Sequence, residues 1–215
     1  QNDIILIGLH VDDGLVATSS IQLRIEVMAN LASSLTITQD TSPSIMFCGM
    51  EICRVHRKIH VSQPKYAKYI VEEFFGKDTK INAVSSPVST LTKIYDPEDT
   101  KIIHADAQQI TYPTHNGRIR WIREQSRHDL SVLCFILGTN QSKPNQHAWT
   151  TMKRGVRFIH GTYDYGILYD PDCKQPQLVG YSDASFAPTN AKSITGSVIM
   201  LCGGVIASKT DSQPT

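Results

Sequence analysis

The sequence predicts an α+β chain built from antiparallel hairpins and amphipathic helices. Three observations carry that expectation. Apolar β-rich runs come in pairs joined by short turns; stripes of apolar residues at helical spacing follow them; and a central stretch of turn formers separates two such blocks.

Asp3 to Leu9 and Leu15 to Ala17 form the first pair, with His10-Val11-Asp12-Asp13-Gly14 between them. This spacing predicts a hairpin whose tip carries two acids. Ile21, Ile25, Met28, Leu31 and Leu35 then fall on one helical stripe, opened by Ser19 or Ser20 as cap. Ile45 to Val55 and Lys58 to Val61 predict a second hairpin, and Ser62 with Pro64 opens a helix that runs through Phe75 and stops at Gly76.

Residues 77–113 lack a sustained period and contain Ser85-Ser86-Pro87 and Asp96-Pro97-Glu98-Asp99, so a linker is expected there. Helices follow at about Asn116 to Glu124, Asp129 to Thr139 and Asn145 to His160. Strands close the chain at Gly166 to Tyr169, Leu178 to Ser182, Gly196 to Leu201 and Val205 to Ala207. Trp121 and Ile122, beside Arg120 and Arg123, suit either the lining of a nucleic-acid groove or a core anchor, of which the core is the expectation, and Tyr66, Tyr69, Phe74 and Phe75 are expected to pack at helical spacing.

Composition narrows the class. The apolar runs fall far short of the roughly 20 residues that span a bilayer, and the N-terminus lacks the layout of a secretory signal. A soluble, membrane-free, cytoplasmic protein is expected. The five cysteines form no C-x-x-C pair and suggest reduced structural thiols. The net charge of +1 hides a segregation. Asp3, Asp12, Asp13, Glu26, Asp40 and Glu51 face only Arg24 in the first block, whereas Arg54, Arg57, Lys58, Lys65 and Lys68 follow with no acid among them. Arg118, Arg120, Arg123 and Arg127 begin a second basic block. Basic blocks flanking an acidic one suit a phosphate backbone gripped beside cations, and solvated helix faces give the same pattern.

The acid pair Asp12-Asp13 is the first chemical candidate. Adjacent carboxylates at a hairpin tip offer hard oxygen ligands to Mg²⁺ and leave room for water and substrate phosphates. Asp13-Gly14 is also a preferred two-residue turn, and an exposed acid pair at a turn serves solubility as readily.

The order of segments resembles the palm of copia-type retrotransposon reverse transcriptases. That family runs a (Y)VDD hairpin, a helix, F-L-G-(I/M)-E-I and an L-S-Q-x-x-Y helix. Here Val11-Asp12-Asp13, then Phe47, Gly49, Met50, Glu51 and Ile52, then Ser62, Gln63 and Tyr66 stand at the matching places. The likeness continues through Tyr112-Pro113, G-R-I-R-W-I, R-H-D-L, G-I-L-Y and G-Y-S-D-A-S-F-A to K-S-I-T-G-S-V-I-M-L. His10, Cys48 and His128 depart from the family's usual tyrosine, leucine and proline.

The resemblance implies a partial reverse-transcriptase palm over 1–76, a linker over 77–113, helical thumb and connection elements over 114–170, and a partial ribonuclease H-like sheet over 171–215. It implies RNA-directed DNA polymerase chemistry by two-metal nucleotidyl transfer, with Mg²⁺ or Mn²⁺ held by Asp12 and Asp13. Phe47, Gly49 and Met50 would support the primer terminus, and Asp183 would be the first ribonuclease H metal ligand. Arg118, Arg120 and Arg123 would contact template phosphates. The implied partners are an RNA/DNA primer-template, deoxynucleoside triphosphates and the fingers and palm segment of the same polyprotein. The implied locations are the cytoplasmic virus-like particle and the nucleus during DNA integration. A third palm aspartate is expected upstream of Gln1 and further ribonuclease H acids beyond Thr215, so the isolated chain is expected to be inactive. The alternative is a non-catalytic nucleic-acid-binding remnant of a degenerate element.

Overall fold

The computed structural model describes residues 3–89, 106–170, 177–185 and 193–213, with side chains in the third helix described from residue 111 onward. Lys192, Cys173, Phe186 and Ala187 lie outside the described residues, as do residues 90–105 of the expected linker.

The α+β expectation holds, with three antiparallel sheets and five α-helices among the described residues. Strands β1 (Ile5–His10) and β2 (Asp13–Thr18) form a two-stranded ribbon. Helix α1 (Ile21–Ala32) follows, capped by the Ser20 hydroxyl, which accepts from the Leu23 N–H at 3.3 Å. It has no buried residue, and Leu35 lies beyond its end. The expected second hairpin is instead part of a meander. β3 (Ser44–Phe47), β4 (Met50–Val55) and β5 (Lys58–Ser62) pair in order because Cys48-Gly49 inserts a turn that the apolar run concealed. Both turn residues have positive φ, 50° and 75°, as do His56 and Arg57 in the next turn, at 55° and 77°. Such pairs are the two-residue turns whose twist matches paired strands.

Helix α2 (Pro64–Phe75) begins with proline in its first turn and ends at Gly76, whose φ of 86° a side chain would resist. Helix α3 (Asp106–Gln125) corrects the linker boundary: residues 106–113 are helical. Pro113 lies within the helix. Of the remaining expected linker, Ile81, Val84 and Val88 pack against the core. A 3-10 turn (His128–Leu130) leads into α4 (Ser131–Thr139), and α5 (Gln146–Gly161) is capped by the Asn145 side chain, which accepts from the Ala148 N–H at 2.8 Å.

The core lies among α2, α3, α4 and α5, where Ile70, Tyr112, Ile119, Leu133, Met152 and Ile159 are fully buried. Strand β6 (Gly166–Tyr169) returns from the helices to pair with β5. A Cβ on Gly166 would come within 2.2 Å of the Val61 carbonyl oxygen, so that pairing requires glycine. The third sheet is β7 (Leu178–Ser185), β8 (Ile194–Leu201) and β9 (Gly204–Ser212), with β9 against α4 and β6. Among the described residues no helix is long and apolar enough to cross a membrane.

Candidate functional site

The hairpin tip is tighter than its sequence suggested. Val11 and Asp12 make the turn, and Asp13 belongs to β2, paired with His10. Asp13-Gly14 is therefore not the turn dipeptide. Val11 sits at φ 53°, a region that a β-branched side chain disfavours, and is 93% exposed. Asp12 and Asp13 are exposed too, so neither carboxylate is spent on internal structure by burial. Across the ribbon Asp13, His10, Leu15 and Gly8 share one face, because directly paired residues of an antiparallel sheet point the same way. The pair suits a magnesium ion that takes one or two carboxylates and fills its shell with water and phosphate oxygens. Among the described residues no group of three or more His, Cys, Asp or Glu side chains is placed to hold a metal, so the two acids have no third protein ligand there.

Phe47, Gly49 and Met50 come together at the β3–β4 turn. Gln63, buried at the head of α2, donates from Nε2 to the Gly49 carbonyl at 3.4 Å and accepts from the Ser126 hydroxyl at 3.0 Å. It thus ties that turn to the end of α3. Sequence reading matched Gln63 to a motif without giving it this bridge, for which a polar residue beside the proline of a helix start was the available signal.

The three arginines separate. Arg120 is exposed. Arg118 is half-buried, donates to the Tyr69 hydroxyl at 3.1 Å and pairs with Glu73 at 2.8 Å. Arg123 is buried: its Nε donates to the Ser131 hydroxyl at 3.1 Å, its Nη2 to the Ser208 carbonyl at 2.6 Å, and its Nη1 meets Glu124. These bonds fasten α3 to β9 and occupy the groups a template phosphate would need. Trp121 departs from the core expectation. It is 49% exposed while Ile122 fills the interior, because the buried stripe of α3 runs through Tyr112, Ile119 and Ile122.

Asp183 lies on β7, in a different sheet from Asp12 and Asp13. Its Oδ1 accepts from the Ala184 N–H at 2.9 Å. It shares a groove of about 480 Å³ with Tyr181, Lys209, His128 and Asp129. Burial, reinforced by the Arg123 charge, holds the His128 imidazole below its usual range, and its Nδ1 lies 2.8 Å from the Ser208 hydroxyl.

Antiparallel hairpins, one of them carrying acids, with a helical core and a further three-stranded sheet define an α+β polypeptide. The homologues are retrovirus-related Pol polyproteins of copia-type plant transposons. The chain is 26% identical to the Pol polyprotein of transposon TNT 1-94 from Nicotiana tabacum over 99% of its own length and 16% of that protein. It is likewise 26% identical to the Pol polyprotein of transposon RE2 from Arabidopsis thaliana, over 86% of this chain and 12% of that one. An uncharacterized mitochondrial protein of Arabidopsis thaliana is 27% identical over 96% of this chain and 83% of its own length. The chain therefore spans a small part of the two polyproteins and most of the mitochondrial protein. No family model matches the chain, and no solved structure matches it.

Proposed function

We propose that this chain is the C-terminal part of the palm, with thumb and connection helices and the first strands of ribonuclease H, of a copia-type RNA-directed DNA polymerase. The observation that carries the reading is the strained, exposed Val11-Asp12 turn with Asp13 beside it, in a chain homologous to retrotransposon Pol polyproteins. In this reading Asp12 and Asp13 hold Mg²⁺ or Mn²⁺, and the β3–β4 turn with Phe47, Gly49 and Met50 supports the primer terminus. Arg118 and Arg120 meet template phosphates, and Asp183 is a ribonuclease H ligand. A metal held there would supply Lewis-acid charge to the phosphates of a bound nucleotide. The substrates are a primer-template and deoxynucleoside triphosphates, the missing partner is the fingers and palm segment of the same polyprotein, and the site of action is the virus-like particle. The chain alone does not polymerise, because two carboxylates make an incomplete site.

Fluorescence anisotropy with an RNA/DNA hybrid bearing a recessed 3′ end tests the reading. Mg²⁺ tightens binding, and Asp12→Asn or Asp13→Asn abolishes that increment. A second reading, a non-catalytic nucleic-acid-binding remnant, is favoured by the lack of a third ligand beside the acid pair among the described residues. It expects binding that falls steeply with salt and ignores both substitutions and the metal.

A further inference from the structure

Where α2 and α3 meet, Tyr69 on α2 and Trp121 on α3 are exposed, while Tyr66 and Arg118 are half-buried. Tyr66 and Tyr69 lie with ring centroids 5.8 Å apart on α2. The Arg118 guanidinium lies over the Tyr69 ring, 5.1 Å from its centroid, and its Nη2 donates to the Tyr69 hydroxyl. Trp121 follows Arg118 by one helical turn, the spacing at which side chains on a helix are neighbours. Tyr69 is 42% exposed and Trp121 49% exposed, although both are large rings on helices that have a core to pack against. A Cβ added at Gly117, four residues before Trp121, would meet nothing within 4 Å, so the surface beside the indole is open.

The charges around this surface favour an anion. Glu73 is neutralised by Arg118, and Glu124 by Arg123. Lys65 and Arg120 remain exposed along the same two helices, against Glu72, and Lys68 lies with its Nζ over the Tyr163 ring, 4.6 Å from its centroid. Rings interleaved with cations are what a sequence-tolerant track for unpaired nucleotides requires, since every base has a face to stack and every linkage a phosphate to neutralise.

We infer that the surface carrying Tyr69, Arg118 and Trp121 binds single-stranded nucleic acid, with unpaired bases stacked on Tyr69 and Trp121 and phosphates held by Lys65 and Arg120. The inference rests on the nucleic-acid reading above and extends it from phosphate contacts at Arg118 and Arg120 to stacking of unpaired bases on Tyr69 and Trp121. Paired bases cannot offer their faces to Trp121, so the track discriminates strand from duplex.

The test uses the whole chain, a short oligothymidylate and a blunt duplex of equal length. The oligothymidylate quenches tryptophan emission, and Trp121→Phe removes most of that signal while keeping most of the affinity. Trp149, stacked on Phe74 at 5.1 Å between centroids, stays unaffected. Trp121→Ala weakens oligothymidylate binding about tenfold, the scale of one lost base stack. Circular dichroism of that exposed-site variant matches the parent; if it does not, Arg120→Gln and Tyr69→Leu carry the test, and each weakens binding several-fold. Unchanged affinity in these variants overturns the inference, as does a blunt duplex that competes equally, or a proline-rich peptide that quenches Trp121 where the oligothymidylate does not. If metal-dependent hybrid binding persists while oligothymidylate leaves Trp121 untouched, only the track fails. If no nucleic acid binds at any salt, the proposed function fails with it.

Discussion

The Arg127 guanidinium grips the Asp129 carboxylate through both sides of its fork, with Nε donating to Oδ1 at 2.9 Å and Nη2 to Oδ2 at 2.8 Å. The same guanidinium donates to the Thr162 carbonyl and hydroxyl at 2.8 Å each, and lies between the Phe158 and Tyr165 rings. Arg127 is 1% exposed, so this one side chain joins the end of α3, the 3-10 turn and the end of α5. It is a structural clamp built from part of the basic block for which charge patterning offered a phosphate backbone or a solvated helix face.

Breaking the clamp from the acid side is therefore expensive. Asp129→Asn leaves a buried cation half-paired and costs ~2–3 kcal/mol, less than the ~3–5 of a fully buried pair because the carboxylate is 39% exposed. Arg127→Met, which removes the charge and keeps the stem, costs less than Arg127→Ala. Urea midpoints of the three variants check the order, and equal midpoints for all three contradict the clamp.

Much of this was legible in the sequence for a physical reason. The α5 boundaries and the Asn145 cap follow from local rules, since a capping side chain and an apolar stripe act within a few residues. The acid hairpin likewise followed from two apolar runs around polar residues. What depended on long-range packing was not legible. Trp121 points outward because Ile119 and Ile122 take the core positions, and Arg123 turns inward because Ser131 and Ser208 meet it from elements far along the chain. Residues 106–113 were assigned to a linker because 77–113 shows no sustained period, whereas the helix begins at Asp106 and continues through Pro113.

Two glycines in neighbouring helices respond oppositely to alanine. At Gly155 the new Cβ meets Leu133 Cδ2 at 2.3 Å, and Leu133 is fully buried, so overpacking costs ~1–3 kcal/mol. Against this stands a helix-propensity gain of ~1 kcal/mol, so the net effect is loss of stability. At Gly138 the Cβ meets nothing, and alanine stabilises by ~0.5–1 kcal/mol. Thermal midpoints moving in opposite directions confirm that α4 and α5 touch at Leu133 and Gly155.

Acid weakens the fold through two histidines. Burial, with Arg118 beside it, lowers the folded-state pKa of His115; burial, with Arg123 beside it, does the same for His128. The unfolded chain binds these protons near the ordinary value of 6.5, whereas the folded chain binds them only at lower pH. Stability thus falls as pH drops below about 6.5, until the folded imidazoles also protonate. The slope between pH 7 and 5 shrinks in His115→Phe, which keeps the edge contact with Phe74 and removes an Nδ1 that is buried without a partner. An unchanged slope in that variant assigns the acid sensitivity elsewhere.

The hairpin turn stores strain that a substitution can release. Val11 holds φ 53° with its side chain almost wholly in water, so nothing gained by burial offsets the conformation. Left-handed backbone at a branched residue costs ~1–3 kcal/mol, whereas asparagine tolerates it through local hydrogen bonding. Val11→Asn therefore stabilises the β1–β2 ribbon, and amide exchange at Gly8 and Leu15, which face each other across it, slows by about tenfold. Val11→Gly relieves the same strain but loosens the unfolded chain, and so gives a smaller gain. Exchange that stays at the parent rate in both variants shows that the turn adopts another conformation in solution. In that case Asp12 and Asp13 do not stand side by side at the tip as the proposed metal site requires.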